Sequence, residues 1–156
     1  MCKYSSGIFL FCLLFVSCQK PFQGHSLNED HLRITLNKAC GWCAPGDSLI
    51  LTKPTTTYVY YPSSCSKEGP HITKATGTAD WHELLNLLDL KKFNAINLNT
   101  CNICVDGCDE WITIQQKGSS HTIRYGSADA KELKEIKPFI DKLHQLRQDL
   151  KTQMGK

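Results

Sequence analysis

The nine cysteines are the residues of this sequence that can take part in the largest number of reactions. Two pairs have the Cys-x-x-Cys spacing, Cys40 with Cys43 and Cys101 with Cys104, while Cys65 lies between the pairs. Thiols at this spacing can form disulfides, exchange disulfides with other proteins or bind zinc. The compartment in which the protein folds decides among these uses, because disulfides persist in oxidising surroundings.

The N-terminal residues 1–17 have the pattern of an export signal. Lys3 supplies a positive charge, and an unbroken apolar run covers residues 8–16 before the polar Gln19. This order of charge and hydrophobicity is typical of a signal peptide. The run has about half of the roughly 20 residues that a membrane-spanning helix needs, so we expect a leader that is removed.

The segment Phe15–Cys18 (FVSC) resembles the lipobox of bacterial lipoproteins, whose cysteine receives diacylglycerol before cleavage. The resemblance implies cleavage before Cys18, palmitate-bearing lipid on that residue, and attachment to a membrane. Gln19 rather than Asp follows the cysteine, which is similar to lipoproteins that pass to an outer membrane. The polar residues 18–30 predict a lipidated N-terminus with a flexible tether. We expect a lipoprotein of the outer membrane that faces the periplasm.

Export leaves six cysteines for the folded part, since Cys2 and Cys12 lie in the leader and Cys18 carries the lipid. An even, dense set in an oxidising compartment is typical of a disulfide framework. The sequence does not select among the possible pairings. Our preferred pairing is Cys40 with Cys43, Cys101 with Cys104, and Cys65 with Cys108.

A first alternative function is thiol-disulfide exchange by Cys40 and Cys43. Such a pair reacts well when its first thiol lies at a helix N-terminus, where the helix dipole lowers the thiol pKa. Here the turn 44–47 and then a strand pattern follow Cys43. The sequence therefore predicts no helix at the position that this chemistry requires.

A second alternative is a structural zinc site, in which four thiolates surround the metal. Its ligands would be Cys40, Cys43, Cys101 and Cys104. Residues 44–100, 57 in all, separate the two pairs, against roughly 15 to 20 in a zinc ribbon. Because export also favours disulfides over thiolates, we predict no cofactor and keep zinc as the alternative.

Other residue groups have simpler interpretations. Asp106, Asp109 and Glu110 lack the alternation of a calcium loop and predict a solvated acidic turn. The six histidines contain no metal-binding pair and are expected at the surface. Trp42 lies in a turn between two cysteines, so we expect it to be exposed and to contact a partner protein.

Apolar periodicity predicts one α+β domain over residues 31–156. Asp80, followed by Glu83, predicts the N-cap of the first helix, and Pro138 should kink or restart the last one. The expected elements are strands 32–36, 48–53, 55–61 and 72–78, helix 81–90, hairpin strands 111–116 and 121–125, and helix 130–152. This ββββ-α-ββ-α order favours an antiparallel meander with the helices on one face of the sheet.

The domain resembles a family of uncharacterised exported bacterial domains whose first strand ends in a Cys-Phe-Gly-x-Cys-Pro turn. The matching stretches are 34–36 (ITL), 40–45 (CGWCAP), 87–93 (LLDLKKF) and 139–143 (FIDKL). In this chain the cysteines of the turn are one residue closer, and Cys101, Cys104 and Cys108 are additional. The family has no assigned activity, so the resemblance implies a fold and no chemistry.

Charge adds one exclusion. Removal of the leader takes Lys3 from the 18 Lys and Arg and leaves 17 basic against 15 acidic residues, a net charge of +2. This near balance provides no strong positive field that would attract nucleic acid. We predict a membrane-anchored periplasmic lipoprotein whose domain is an interaction or envelope-associated module rather than an enzyme. It would contact the membrane through its lipid and an envelope protein through the domain, and the sequence specifies no oligomeric state.

Replacing Cys18 with alanine is expected to abolish palmitate labelling, because the Cys18 sulfur is the predicted lipid acceptor. The matched variant Cys12→Ala, whose cysteine leaves with the leader, should keep the label. Palmitate that persists on Cys18→Ala would contradict the lipoprotein prediction. An unmodified Cys18 in the mature wild-type protein would instead indicate an ordinary secretory signal cut near Ser17.

Overall fold

The computed structural model of the chain describes residues 28–66 and 69–155. The predicted leader, Cys18 and most of the tether lie outside these residues. The strands are β1 (Arg33–Cys40), β2 (Gly46–Thr52), β3 (Thr55–Tyr61), β4 (His71–Ala75), β5 (Cys108–Gln116) and β6 (Ser119–Tyr125). The α-helices are α1 (Thr78–Leu87), α2 (Leu90–Ala95) and α3 (Lys137–Met154). This element order confirms the predicted α+β fold.

The strands form one antiparallel sheet in the order β4-β3-β2-β1-β5-β6. The chain builds β1 to β4 as a meander, forms two helices, and then adds the β5–β6 hairpin on the free side of β1. In the resulting register, Leu36 on β1 lies opposite Leu49 on β2 and Ile112 on β5. Directly opposite residues share a face, so the apolar positions of the strands combine into one buried surface.

Helices cover this apolar face. Phe139, Ile140, Leu143 and Leu150 form the buried stripe of α3, at the spacing of successive helical turns. Pro138 lies in the first turn of α3, where its missing N–H breaks no helical hydrogen bond. A short 3-10 helix, Lys131–Ile136, precedes α3, so the predicted restart at Pro138 is confirmed.

The first helical region differs from the prediction at both ends. Helix α1 begins at Thr78, with Gly77 at the N-cap, so the assignment of Asp80 as N-cap was wrong. Asp80 and Glu83 instead bind the nearly buried Lys142 of α3, with oxygen–nitrogen distances of 2.9 and 2.6 Å. An ion pair between distant elements therefore uses the two side chains that a local capping motif would have used.

The predicted helix 81–90 is in fact two helices. Helix α1 ends at Leu87, and Asp89 caps a new helix, α2, by accepting a hydrogen bond from the Lys92 N–H. This break turns the chain so that Phe93 is fully buried, with its ring edge-on to Phe139 of α3. The second helix is thus oriented by burial of its aromatic side chain.

The opposite face of the sheet carries small polar residues. The hydroxyls of Thr57 and Thr73 form a hydrogen bond of 2.9 Å, and so do those of Thr113 and Thr122. Paired positions form one row across all six strands: Thr73, Thr57, Ile50, Thr35, Thr113 and Thr122. Five of these six residues are threonine, and all six side chains are half-buried or exposed, so this face is more polar than the face that the helices cover.

Two neighbouring residues of β1 test this assignment of faces. Leu36→Ala should lower the free energy of unfolding by about 2 to 5 kcal/mol, because it leaves a cavity in the core. Thr35→Ala, on the polar face, should change it by less than about 1 kcal/mol. Urea denaturation of the oxidised proteins would measure both. Equal losses in the two variants would contradict the assignment.

Candidate functional site

The cysteines gather at one end of the sheet, where β1 ends and β5 begins. They form three disulfides, Cys40–Cys108, Cys43–Cys65 and Cys101–Cys104. The predicted disulfide framework is therefore confirmed. Of the preferred pairs, only Cys101–Cys104 is correct, while Cys40–Cys43 and Cys65–Cys108 are wrong.

Strand pairing explains the first correction. Cys40 ends β1 and Cys108 begins β5, and the two residues lie directly opposite each other with their Cα atoms 4.0 Å apart. The apolar residues of β1 and β5 set this register, because a shift by one residue would turn the apolar set of the shifted strand away from the core. The cysteine next in sequence, Cys43, is therefore left for another partner.

Contacts between loops explain the second correction. The Ser64 N–H donates to Ala44 O at 2.8 Å, and the Ser64 hydroxyl donates to Cys40 O at 2.9 Å. These bonds hold the loop after β3 against the loop after β1. Cys65 thereby lies next to Cys43, and the two cysteines bridge the loops.

Trp42 projects from the loop after β1 and is 86% exposed. Both Trp42 and Cys43 have left-handed backbone angles, with φ of 54° and 53°. Gly41 packs against the loop that precedes β5, where a Cβ atom would lie 2.8 Å from the backbone of Asp106. The Gly41 N–H also donates to Gly107 O at 2.9 Å. The exposure predicted for Trp42 is confirmed, and its role as a contact stays a prediction.

Val105 adjoins Asp106 in that second loop and is 76% exposed. Among the described residues, Trp42 and Val105 are the exposed large hydrophobic side chains. Because Gly41 packs on Asp106, these side chains project from two loops in contact. We call this the Trp42–Val105 surface.

A buried carboxylate organises the loop that contains Cys101 and Cys104. Asp109 accepts hydrogen bonds from the N–H groups of Asn102 and Ile103 at 3.2 and 3.1 Å and from the Thr100 hydroxyl at 2.8 Å. It also pairs with Arg124 at 2.8 Å. Burial by itself would raise the pKa of Asp109, but these hydrogen bonds outweigh it and hold the pKa below its usual value.

The acidic residues near this loop do not act together. Asp106 is exposed, Asp109 faces the polar side of the sheet, and Glu110 faces the helices. The predicted solvated acidic turn is therefore wrong for Asp109 and Glu110, which are paired with cations. Within residues 28–66 and 69–155, no cluster of three or more His, Cys, Asp or Glu side chains suits a metal ion.

The disulfides also bear on the two alternative functions. An oxidised Cys-x-x-Cys exchanger has a disulfide between its own two cysteines. Here Cys40 and Cys43 are instead bonded to two different partners. A strand, β2, follows the pair, as predicted. All four suggested zinc ligands, Cys40, Cys43, Cys101 and Cys104, are in disulfides and supply no thiolate in this state.

A partly buried ionic cluster that the sequence did not reveal lies between the sheet and α3. Glu110 contacts His144 Nε2 at 2.6 Å and Arg147 Nη1 at 2.7 Å. Arg147 also lies 3.5 Å from Asp47, which accepts a 3.4 Å hydrogen bond from the Tyr58 hydroxyl. No sequence motif marks these residues, because they come from β2, β3, β5 and α3. Polar residues at inward positions of amphipathic elements were the one available signal.

The two carboxylates of this cluster have opposite pKa shifts. Burial disfavours the charge on Glu110, but the His144 hydrogen bond and the Arg147 charge outweigh it and lower the pKa to about 2. Burial raises the pKa of Asp47, and the more distant Arg147 offsets this only in part. Burial also raises the pKa of Tyr58 to about 12, and the charge of Asp47 adds to that shift.

An open cleft of about 490 Å³ lies beside the loop of Cys101 and Cys104. Ile103, between these two cysteines, lines it together with Trp111 and Arg124. The Arg124 guanidinium lies 5.8 Å from the centre of the Trp111 ring, a cation–π contact on the polar face of the sheet. Asn97, Leu98, Asn99 and Thr122 complete the lining.

Comparison of the chain with protein-family models and with curated proteins finds no match. The resemblances to lipoproteins and to the exported domain family therefore remain predictions. None of the helices in the described part of the chain combines the length and apolar character needed to cross a bilayer.

The three disulfides should differ in their contribution to stability, because a longer closed loop restricts the unfolded chain more. The bridges span sequence separations of 68, 22 and 3 residues. Replacing both cysteines of a bridge with serine should lower the free energy of unfolding by about 4, 3 and 2 kcal/mol in that order, according to the chain-entropy model. Guanidinium unfolding would measure the losses. A larger loss for the Cys101–Cys104 bridge than for Cys43–Cys65 would contradict this order.

Glu110 should make stability depend on pH. Its folded pKa of about 2 lies below the unfolded value, so its contribution is complete above about pH 4.5 and disappears as pH falls towards 2. Glu110→Gln should therefore lower the free energy of unfolding by about 3 kcal/mol at pH 7 and by much less at pH 2. The control Glu132→Gln removes an exposed carboxylate. Unfolding free energies at both pH values would test this, and a pH-independent loss would refute it.

Proposed function

We propose that this protein is an exported, lipid-anchored lipoprotein of the periplasm whose domain binds another envelope protein through the Trp42–Val105 surface. One observation carries the proposal: Trp42 is 86% exposed on a loop whose end residues, Cys40 and Cys43, each form a disulfide with a separate segment of the chain. The disulfides are compatible with export, because such bonds are rare in reducing compartments.

The physical chemistry of Trp42 suits a binding contact. A tryptophan side chain that is exposed in the free protein gains favourable free energy when a partner removes its large apolar area from water. Disulfides at Cys40 and Cys43 already restrict the loop, so binding costs little additional conformational entropy. Tryptophan is also among the residues enriched at the energetic centres of protein interfaces.

The direction of β1 supports a partner away from the anchor. Strand β1 runs from Arg33 to Cys40 and is about 25 Å long. The predicted tether joins the domain at the Arg33 end, whereas Trp42 follows the Cys40 end. A lipid on Cys18 would therefore attach the domain from the side opposite the Trp42–Val105 surface. That surface would be available to a protein in the periplasm, with the outer membrane as the expected site of the anchor.

Site-specific photo-cross-linking would test the proposed surface. A photoreactive phenylalanine analogue at position 42 should give one cross-linked protein product in intact cells, because the partner would cover this side chain. Lys117 provides the matched control position, since it is also exposed with positive φ but lies in the β5–β6 turn at the opposite end of the sheet. We expect at least a tenfold stronger product at position 42.

Two outcomes would contradict the proposal. Equal cross-linking at positions 42 and 117 would indicate random collisions, and no product at position 42 would indicate that no protein covers the surface. As a second test, the partner identified by cross-linking should co-purify with the wild-type protein and should be lost from the Trp42→Ala variant. Retention of the partner at the wild-type level would show that another surface binds it.

A further inference from the structure

The Cys101–Cys104 disulfide differs from the other two in what it connects. It joins residues three positions apart, whereas the others span 68 and 22 residues and join separate strands or loops. A bridge over such a short segment restricts the unfolded chain least. Both of its cysteines are exposed residues, as are Cys43 and Cys65 of the second bridge.

The loop of this disulfide is held in place by other bonds. Asp109 accepts hydrogen bonds from the N–H groups of Asn102 and Ile103, which lie between the two cysteines. The Gly107 N–H donates to Asn102 O at 2.8 Å, and the Thr100 N–H donates to Arg124 O at 3.1 Å. Because these bonds do not involve sulfur, the loop can keep its shape when the disulfide opens.

The cleft beside the loop provides space for a polypeptide. Ile103 forms part of its wall, so a chain bound there lies next to the disulfide. Trp111 offers an apolar surface, and Asn97 and Asn99 offer amides that can bond to a peptide backbone. An aromatic ring with a few polar groups in an open cleft is a common composition of ligand sites.

We propose that Cys101 and Cys104 form a thiol–disulfide exchange site, which transfers its disulfide to a dithiol in another exported polypeptide. This inference shares the expectation of export with the function proposed above, but it relies on residues other than Trp42. It also differs from the alternative that used Cys40 and Cys43, since those cysteines cross-link separate parts of the fold.

The exchange proceeds in two balanced steps. A substrate thiolate attacks one sulfur of the Cys101–Cys104 bond, which breaks to give a mixed disulfide and one cysteine thiolate. The second substrate thiolate then attacks the mixed disulfide, forms the substrate disulfide and releases the other cysteine thiolate. Two electrons pass from the substrate to the bridge, and the two protons lost by the substrate thiols reach the released thiolates through water.

Graded reduction of the full-length oxidised protein would test the first requirement. After incubation in dithiothreitol buffers of increasing reducing strength, alkylation and peptide mapping would report the state of each bridge. We expect Cys101–Cys104 to open first, while the other two bridges and the far-UV circular dichroism remain unchanged. Simultaneous opening of all three bridges, or opening of Cys101–Cys104 last, would overturn the proposal.

Oxidation of a synthetic peptide with two thiols would test the transfer itself. The double variant Cys101→Ser/Cys104→Ser should oxidise the peptide at least tenfold more slowly than wild type and keep both remaining bridges. The control Lys117→Ala, an exposed position in the β5–β6 turn at the other end of the sheet, should oxidise it within twofold of the wild-type rate. Because neither variant alters Trp42, failure of the Trp42 cross-linking experiment would leave this result unaffected.

Two results of the peptide assay would overturn the exchange site. A double variant as fast as wild type would show that another group oxidises the peptide. Loss of the Cys40–Cys108 or Cys43–Cys65 bridge in the double variant would show that the Cys101–Cys104 bond is needed for folding. Peptide mapping of the same preparation distinguishes these two results.

Discussion

The antiparallel pairing of β1 with β5 is the constraint on which the rest of the structure depends. These strands are far apart in sequence, yet they are hydrogen-bonded neighbours in the sheet, where β5 joins the hairpin to the meander. Burial of Leu36 and Ile112 on the same face selects the register, because a slip of one residue would turn the apolar side chains of the slipped strand towards the opposite face. The same register places Cys40 opposite Cys108 and Lys38 opposite Glu110. Core packing, cross-linking and charge placement thus follow from one strand pairing.

The period of two in β5 separates side chains that are adjacent in sequence. Asp109 faces the polar side of the sheet, where it holds the cysteine loop and pairs with Arg124. Glu110 faces the opposite side, where it binds His144 and Arg147 of α3. One acidic residue therefore orders a surface loop while its neighbour ties a helix to the sheet. Both carboxylates stay charged despite burial because each has a cation and further hydrogen-bond donors.

How much the sequence predicts depends on the range of the interactions involved. The order of strands and helices along the chain, the restart at Pro138 and the exposure of Trp42 follow from local patterns, and the structure confirms them. The pairings Cys40–Cys108 and Cys43–Cys65, the start of α1 and the ionic cluster depend on contacts between distant segments, so local patterns did not reveal them. Asp80 shows the difference clearly: it has the sequence context of an N-cap, but Lys142 from α3 binds it in the folded protein.

The cysteines at one end of the sheet have two physical roles. Cys40–Cys108 and Cys43–Cys65 connect segments that would otherwise separate in the unfolded chain, so they restrict the loop that presents Trp42. Cys101–Cys104 closes a segment that Asp109 already holds through main-chain hydrogen bonds. A bridge whose loop has independent support can open with little loss of structure, whereas opening either of the others would release a connection between separate segments. The three bridges at this end of the domain therefore differ in how much of the fold each one holds together.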